Sequence, residues 1–263
     1  MPQRLMILLF AIVIASSCSP QSQPISIAFV ASLGAESLQC DVDADGLQLT
    51  DLRFYIHAAT LHRKDGRRVA IELAQNGRWQ NDQLTLIDLE DASGECQNGT
   101  VDSNAMLLGT VPADDYRGLS FSVGVPFDVN HADPLAAKPP LDDTTMHWHW
   151  RSGYKFLRLG FAESKQSFWI HLGSAGCQGT VQDISGCRFE NRFDVVIDDF
   201  EPGDTVQVDF TAIVAAVKKQ SAMSASCASG PGEESCREAF TVFGIDSSTG
   251  SQTGVQKLFV SQR

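Results

Sequence analysis

Val206-Gln207-Val208-Asp209-Phe210-Thr211-Ala212 alternates apolar and polar residues without a break, and the apolar set continues to Val214. In an extended chain successive side chains point to opposite faces. The stretch therefore reads as a strand that buries Val206, Val208, Phe210, Ala212 and Val214 and turns Gln207, Asp209 and Thr211 to solvent. The same period of two recurs in Ile25, Ile27, Phe29 and Ala31, and in Leu119, Phe121, Val123 and Val125 opposed by Ser120, Ser122 and Gly124. Turn dipeptides separate the runs: Asp45-Gly46, Asp65-Gly66, Asn76-Gly77, Asn98-Gly99 and Pro202-Gly203. No stretch holds a 3.6-residue apolar period for three turns. The expected fold class is all-β, a sandwich-like single domain with long loops pinned by disulfides.

Two segments interrupt this rhythm. Residues 126–140 hold four of the ten prolines and cannot form a central strand. Residues 220–236 are rich in Ser and Gly and read as a disulfide-pinned surface loop. Neither an internal repeat nor an interdomain linker is evident.

The N-terminus reads as a targeting segment. Arg4 precedes an apolar run over residues 5–15, which Ser16, Ser17 and Cys18 close. A span needs roughly 20 apolar residues, so this run is a signal region rather than a membrane anchor. Cysteine after small residues resembles a bacterial lipoprotein box, in which the cysteine is acylated and becomes residue one, and Ser19 resembles the outer-membrane sorting type. The expected organisation is a signal peptide over 1–17, a lipidated tether over 18–24 with Cys18 as the lipidated residue, and a β domain over 25–263. The expected location is the bacterial periplasm or cell surface, anchored by lipid at the outer membrane; plain secretion with cleavage nearby is the simpler alternative.

With Cys18 set aside, six of the seven cysteines remain: Cys40, Cys96, Cys177, Cys187, Cys227 and Cys236. In an oxidising compartment an even set reads as disulfides rather than a thiolate metal site. Local pairing of Cys177 with Cys187 and of Cys227 with Cys236 is the simplest arrangement and leaves Cys40 with Cys96, one of fifteen connectivities. The net charge of −12 excludes nucleic acid and anionic membrane surfaces as partners, because both require a basic footprint.

Four of the six histidines lie between residues 131 and 171, together with three of the four tryptophans. Met146-His147-Trp148-His149-Trp150 is the densest element, and on a strand His147 and His149 share a face as a pair of imidazole ligands needs. Imidazole suits copper, zinc and nickel. The competing reading is a Trp/His-rich packing strand. Trp169 and His171 share a face of a second strand, and His57 points opposite to Phe54 and Ile56. His62 lies beside Arg63, Lys64 and Arg67, where a cation is unwelcome. Asp41-x-Asp43-x-Asp45-Gly46 imitates half of a calcium loop, but Leu52 stands where its bidentate glutamate belongs. Signatures of Ser hydrolases, zincins, P-loops and dinucleotide binders are missing.

The order Gly124-Val125-Pro126-Phe127, Asn130-His131-Ala132-Asp133-Pro134, Pro140-Leu141, Met146 to Trp150, Gly153-Tyr154-Lys155-Phe156-Leu157-Arg158, His171-Leu172-Gly173 and Cys177 resembles the MbnP-like family, also called metallo-mystery pair four-Cys motif proteins. The resemblance is dense over residues 116–192 and looser elsewhere. It implies an exported copper-binding protein, not an enzyme, made beside a di-haem protein of the cytochrome c peroxidase type that oxidises a tryptophan to kynurenine. It implies His131, His147 and His171 as metal ligands with His57 as a fourth. His149 departs from the family pattern, in which a small polar residue separates the tryptophans. Trp148 and Trp150 are the first candidates for oxidation and Trp169 the third, with Asn130 and Asp133 as residues that would orient the imidazoles. The alternatives are a surface β-sandwich module that binds protein or glycan through its tryptophans and, third, a zinc-dependent hydrolase.

Overall fold

A computed structural model describes residues 21–164, 166–181, 183–219, 226–230 and 233–262. The signal segment, Cys18 and part of the 220–236 loop lie outside the described residues. The main strands are β1 (Ser22–Leu33), β2 (Leu47–Arg63), β3 (Leu84–Asp88), β4 (Met106–Pro112), β5 (Tyr116–Val123), β6 (His147–His149), β7 (Gly153–Glu163), β8 (Gln166–Gly173), β9 (Ala175–Thr180), β10 (Asp183–Phe189), β11 (Phe193–Ile197), β12 (Thr205–Asp209) and β13 (Phe259–Gln262).

One sheet runs β13-β12-β1-β4, with the short strand Glu72–Leu73 at its far edge and Glu36–Ser37 beside β1. β1 and β12 are parallel; β1 and β4, and β12 and β13, are antiparallel. The second sheet runs β8-β7-β2-β5-β11, with β3, β6 and Arg68–Ala70 added to its strands. The inner faces of both sheets build one core, in which Phe29 meets Phe54 and Phe121 edge to face at 5.7 and 5.9 Å. The protein is thus an all-β sandwich, as its alternation predicts.

The alternation that opened the sequence reading is not a single strand. β12 stops at Asp209, and Thr211–Lys219 forms a helix, α1, that buries Ile213, Val214, Ala216 and Val217. Asp209 causes the switch. Its Oδ1 accepts hydrogen bonds from the Thr211 N–H at 2.9 Å, the Thr211 hydroxyl at 2.7 Å and the Gly34 N–H at 3.0 Å, as a helix-capping carboxylate does. A second helix, α2 (Arg237–Phe243), follows the Cys236 end of the loop and closes on Gly244, whose φ of 74° suits the left-handed helix stop.

Three disulfides join Cys40 to Cys96, Cys177 to Cys187 and Cys227 to Cys236. The second ties β9 to β10 at directly opposed positions of their hairpin. The third pins the segment that lies along the outer edge of β8, where Cys227 exchanges main-chain hydrogen bonds with Trp169 and His171.

The outer face of the second sheet carries the features of interest. Leu52, Phe54 and Ile56 of β2 face the sandwich core, so Asp51, Arg53, Tyr55 and His57 face outward. Tyr55 joins a second apolar cluster with Leu84, Leu86, Val125, Leu141, Met146, Tyr154 and Phe156. The proline-rich segment covers this cluster through a helical turn, Phe127–Asn130, a 3-10 turn, Pro134–Ala136, and Leu141. The Tyr55 hydroxyl donates to the Pro140 carbonyl at 3.1 Å and ties the cover down.

Candidate metal centre

Strand register assembles the site. His171 lies opposite Arg158, Arg158 opposite Arg53, and Arg53 opposite Asp88, so one row of outward side chains crosses four strands. Two residues further along, Trp169, Gly160 and Asp51 form the next row. Gly160 contributes no side chain, which leaves room between the indole and the carboxylate. A cavity of about 410 Å³ opens there, lined among others by Asp51, Glu95, Asn98, Arg158, Trp169 and His171.

The charges of the row are paired. Asp51 Oδ1 accepts from Arg53 Nε at 3.0 Å, and its Oδ2 accepts from Arg53 Nη2 at 3.1 Å and lies 2.6 Å from Arg158 Nη2. Arg53 Nη2 also lies 2.9 Å from Glu90. Burial opposes the Arg53 charge, but the Asp51 hydrogen bond and the surrounding carboxylates outweigh it and hold the guanidinium above its usual pKa. Burial pushes the Asp88 and Glu90 carboxyls up to about 7, against the pull of Arg53. The row also anchors the His/Trp segment. Arg53 donates to the Thr145 hydroxyl at 2.8 Å, and Arg158 and Lys155 donate to the Thr145 carbonyl at 3.1 and 2.9 Å. Met146-His147-Trp148 follows directly.

That anchoring turns Trp148 toward β8. Its ring meets His171 edge to face at 6.3 Å, while Trp169 lies against the same imidazole at 4.5 Å. Gly173 makes the approach feasible, because a β-carbon there would stand 3.1 Å from the Trp148 ring and 2.8 Å from the Tyr154 carbonyl oxygen. His171 is therefore an imidazole between two indoles. Burial, then Arg158 and Lys155, lower its pKa to about 4, so it is neutral near pH 7. Among the described residues no hydrogen bond engages its ring nitrogens.

The other histidines stand in separate surroundings. His147, half-buried, meets Tyr154 edge to face at 5.3 Å, and burial, then Lys155 and His149, lower its pKa. His149 is exposed, lies 5.5 Å from Trp150 and accepts the Arg151 N–H at Nδ1. His57 has a buried Nε2 with no partner, and burial, then Arg192, lower its pKa to about 4. His131 packs on Phe127 at 4.7 Å and sits beside the Cys177–Cys187 disulfide. Asn130 does orient His131, with its Nδ2 3.1 Å from Nε2, whereas the Asp133 carboxylate accepts the Leu135 N–H and caps the 3-10 turn. His62 bonds to Ser120. Among the described residues no three histidines gather within reach of one ion; the one such group of donors is His131 with Cys177 and Cys187.

Sequence reasoning did not single out Asp51, Arg53, Glu90 and Arg158. The available signal was Arg53 inside the apolar run Leu52 to Ile56, a charge with no reason to be there unless it is paired.

Comparison with known proteins accounts for the arrangement. A sequence model of the MbnP family matches residues 22–235. The chain belongs to the MbnP family. Among solved structures, MbnP from Methylosinus trichosporium is similar with a TM-score of 0.77 and 26% identity, over 92% of this chain and 98% of that one. No curated protein matches. The family match spans β1 to the Cys227–Cys236 loop, so it includes the second sheet, the first sheet except β13, the Arg53 row and the Trp148–His171–Trp169 cluster.

Proposed function

We propose that this protein is an exported copper-binding protein, anchored through Cys18 at the bacterial outer membrane, with no catalytic turnover of its own. Its copper centre lies at His171, and its partner is a di-haem protein of the cytochrome c peroxidase type. The observation that carries the reading is the His171 imidazole, neutral, without a hydrogen bond at its ring nitrogens among the described residues, and held between Trp148 and Trp169.

The donor set fits copper in one respect and falls short in another. A neutral imidazole is a good ligand for the ion. One imidazole is too few, and an intact indole adds nothing of use. Oxidation of Trp148 to kynurenine by the partner supplies what is missing, because the opened ring carries an aryl amine and a ketone beside His171. Trp148 is the preferred target over Trp169, since it combines the tryptophan-pair motif with this position. Trp150 instead packs with His149 and Arg151. Of the chain's own residues, His171 presents a nitrogen, Asp51 offsets the neighbouring cations, and the Arg53–Arg158–Thr145 contacts hold Trp148 in place. Copper, when bound, supplies the capacity for one-electron chemistry.

The test is to produce the mature chain with and without its di-haem partner and to measure copper stoichiometry and intact mass. Copper is expected only where the mass rises as kynurenine formation requires, and His171→Ala should abolish it. Absence of copper from both preparations would overturn the reading. Trp169, 40% exposed, favours a second reading, the aromatic face of an interaction module. That reading expects His171→Ala to keep partner binding and Trp148→Ala to lose it.

A further inference from the structure

His131 lies far from the role of a lone loop histidine. Its Nε2 is 3.4 Å from Cys187 Sγ, and His131, Cys177 and Cys187 place one ligand atom each within 4.8 Å of one another. Asn130 settles which nitrogen faces the sulfurs with a lone pair. Asn130 Oδ1 accepts the Tyr154 N–H at 2.9 Å, so its amide nitrogen must be the group that faces His131 and donates to Nε2. The His131 proton therefore sits on Nδ1, which is buried and without a partner. A nitrogen lone pair beside two sulfurs is the donor chemistry of a soft-metal site, closed while the sulfurs are bonded to each other and while Nε2 accepts from Asn130, a hydrogen bond that a bound cation replaces.

From this placement we infer that the Cys177–Cys187 disulfide is the closed form of a thiol-gated site, which on reduction binds one thiophilic d¹⁰ cation, cuprous or zinc, through both thiolates and His131 Nε2. The site is separate from the one at His171 and does not depend on it.

Three features make the gate workable. Cys177 and Cys187 are directly opposed in the β9–β10 hairpin, whose main-chain ladder keeps the two thiols facing each other after the bond opens. Access is selective: Cys187 is half-buried, whereas the cysteines of the other two disulfides are at most 4% exposed. Burial, then the Arg192 cation, disfavours protonation of His131, which keeps its imidazole neutral and able to ligate. The chemistry balances through thiol–disulfide exchange. A dithiol reductant attacks one sulfur, forms a mixed disulfide and leaves as its own disulfide, with two electrons passed to the protein. The two protein thiols then release their protons to solvent as the cation binds.

The experiment uses the mature chain under anaerobic conditions. Graded dithiothreitol treatment followed by alkylation and peptide mass analysis should label Cys177 and Cys187 before any other cysteine. Titration with Cu(I) against a chromophoric chelator, and separately with Zn(II), should then show one equivalent more in the reduced chain than in the oxidised one. Which cation wins identifies the cargo. His131→Ala should weaken that equivalent by more than the roughly 10–100-fold that losing an outer partner costs. The double variant Cys177→Ser/Cys187→Ser should lose it, and His171→Ala should leave it intact. Circular dichroism checks that each variant is folded, and X-ray absorption on the reduced wild-type chain reads the two sulfurs and one nitrogen without any substitution. The inference is overturned if Cys40–Cys96 or Cys227–Cys236 opens first, if reduction adds no metal equivalent, or if His131→Ala binds it undiminished.

Discussion

At Gly173, one missing side chain decides whether Trp148 can reach His171. An alanine methyl group would crowd the Tyr154 carbonyl oxygen and two atoms of the Trp148 ring at once. The main chain at Tyr154 cannot yield easily, because its N–H is held by Asn130 Oδ1 and the next residue, Lys155, donates to the Met146 carbonyl and pairs with Gly173 itself. The indole is the softer neighbour, since β6 is only three residues long. Gly173→Ala is thus expected to swing Trp148 off His171 and to cost about 1–3 kcal/mol from overpacking. Tryptophan fluorescence, with Trp169 and His171 left in place, should shift to a more solvated spectrum. Copper loading in the presence of the partner should fall in parallel. Unchanged fluorescence together with unchanged loading would show that the close approach does not matter.

At the scale of elements, the disulfides divide by the length of chain they close. Cys40–Cys96 spans 56 residues and Cys177–Cys187 spans 10. In the chain-entropy account, removing the first should cost about 4 kcal/mol and removing the second about 3 kcal/mol. The gap should widen in practice, because the β9–β10 hairpin retains its main-chain ladder whereas Cys40 sits in a loop held largely by its bond to Cys96. Urea unfolding of the Cys40→Ser/Cys96→Ser and Cys177→Ser/Cys187→Ser chains measures both; equal losses would contradict the expectation. The elements also show where a period of two misleads. Val206, Val208 and Phe210 are buried as the alternation requires, yet the chain leaves the sheet at Asp209 and α1 buries both Ile213 and Val214. Ile213, Val214 and Val217 do have helical spacing, but they extend over little more than one turn, too few to outweigh five alternating positions. The capping role of Asp209 was visible only once Thr211 and Gly34 were known to lie against it.

On the scale of the whole molecule, alternation was enough to read the sandwich, because it depends on which face of each strand meets the core. It could not show which residues meet across strands. The row His171–Arg158–Arg53–Asp88 depends on three registers, and outward charges in an alternating strand read simply as solvated. The same ignorance of register left Trp148 facing away from His147 with no known neighbour, until β6, β7 and β8 were seen to place it over Gly173 beside His171. This outer face should also set how stability responds to pH. Asp88 and Glu90 titrate at about 7 in the fold, well above the carboxylate range of an unfolded chain, so their contribution is complete below about pH 4 and is lost steadily as pH rises from there to 7. His57 and His171 act in the opposite sense. Their folded values of about 4 lie below the usual 6.5, so their contribution is complete above 6.5 and disappears as pH falls toward 4. The two effects offset each other between about pH 4.5 and 6.5; the last of the carboxyl loss falls between about 6.5 and 7.5, and above that both states are ionised and stability is flat. Urea unfolding should therefore give a plateau across the acid interval, a small decline of about 1 kcal/mol between pH 6.5 and 7.5, and no further change above it. Glu90→Gln should flatten the alkaline limb, because an amide has no proton to lose. If stability instead rises from pH 4.5 to 6.5 and shows no decline above it, then Arg53 keeps Glu90 ionised throughout, and the buried row is a fixed ion pair rather than a titrating one.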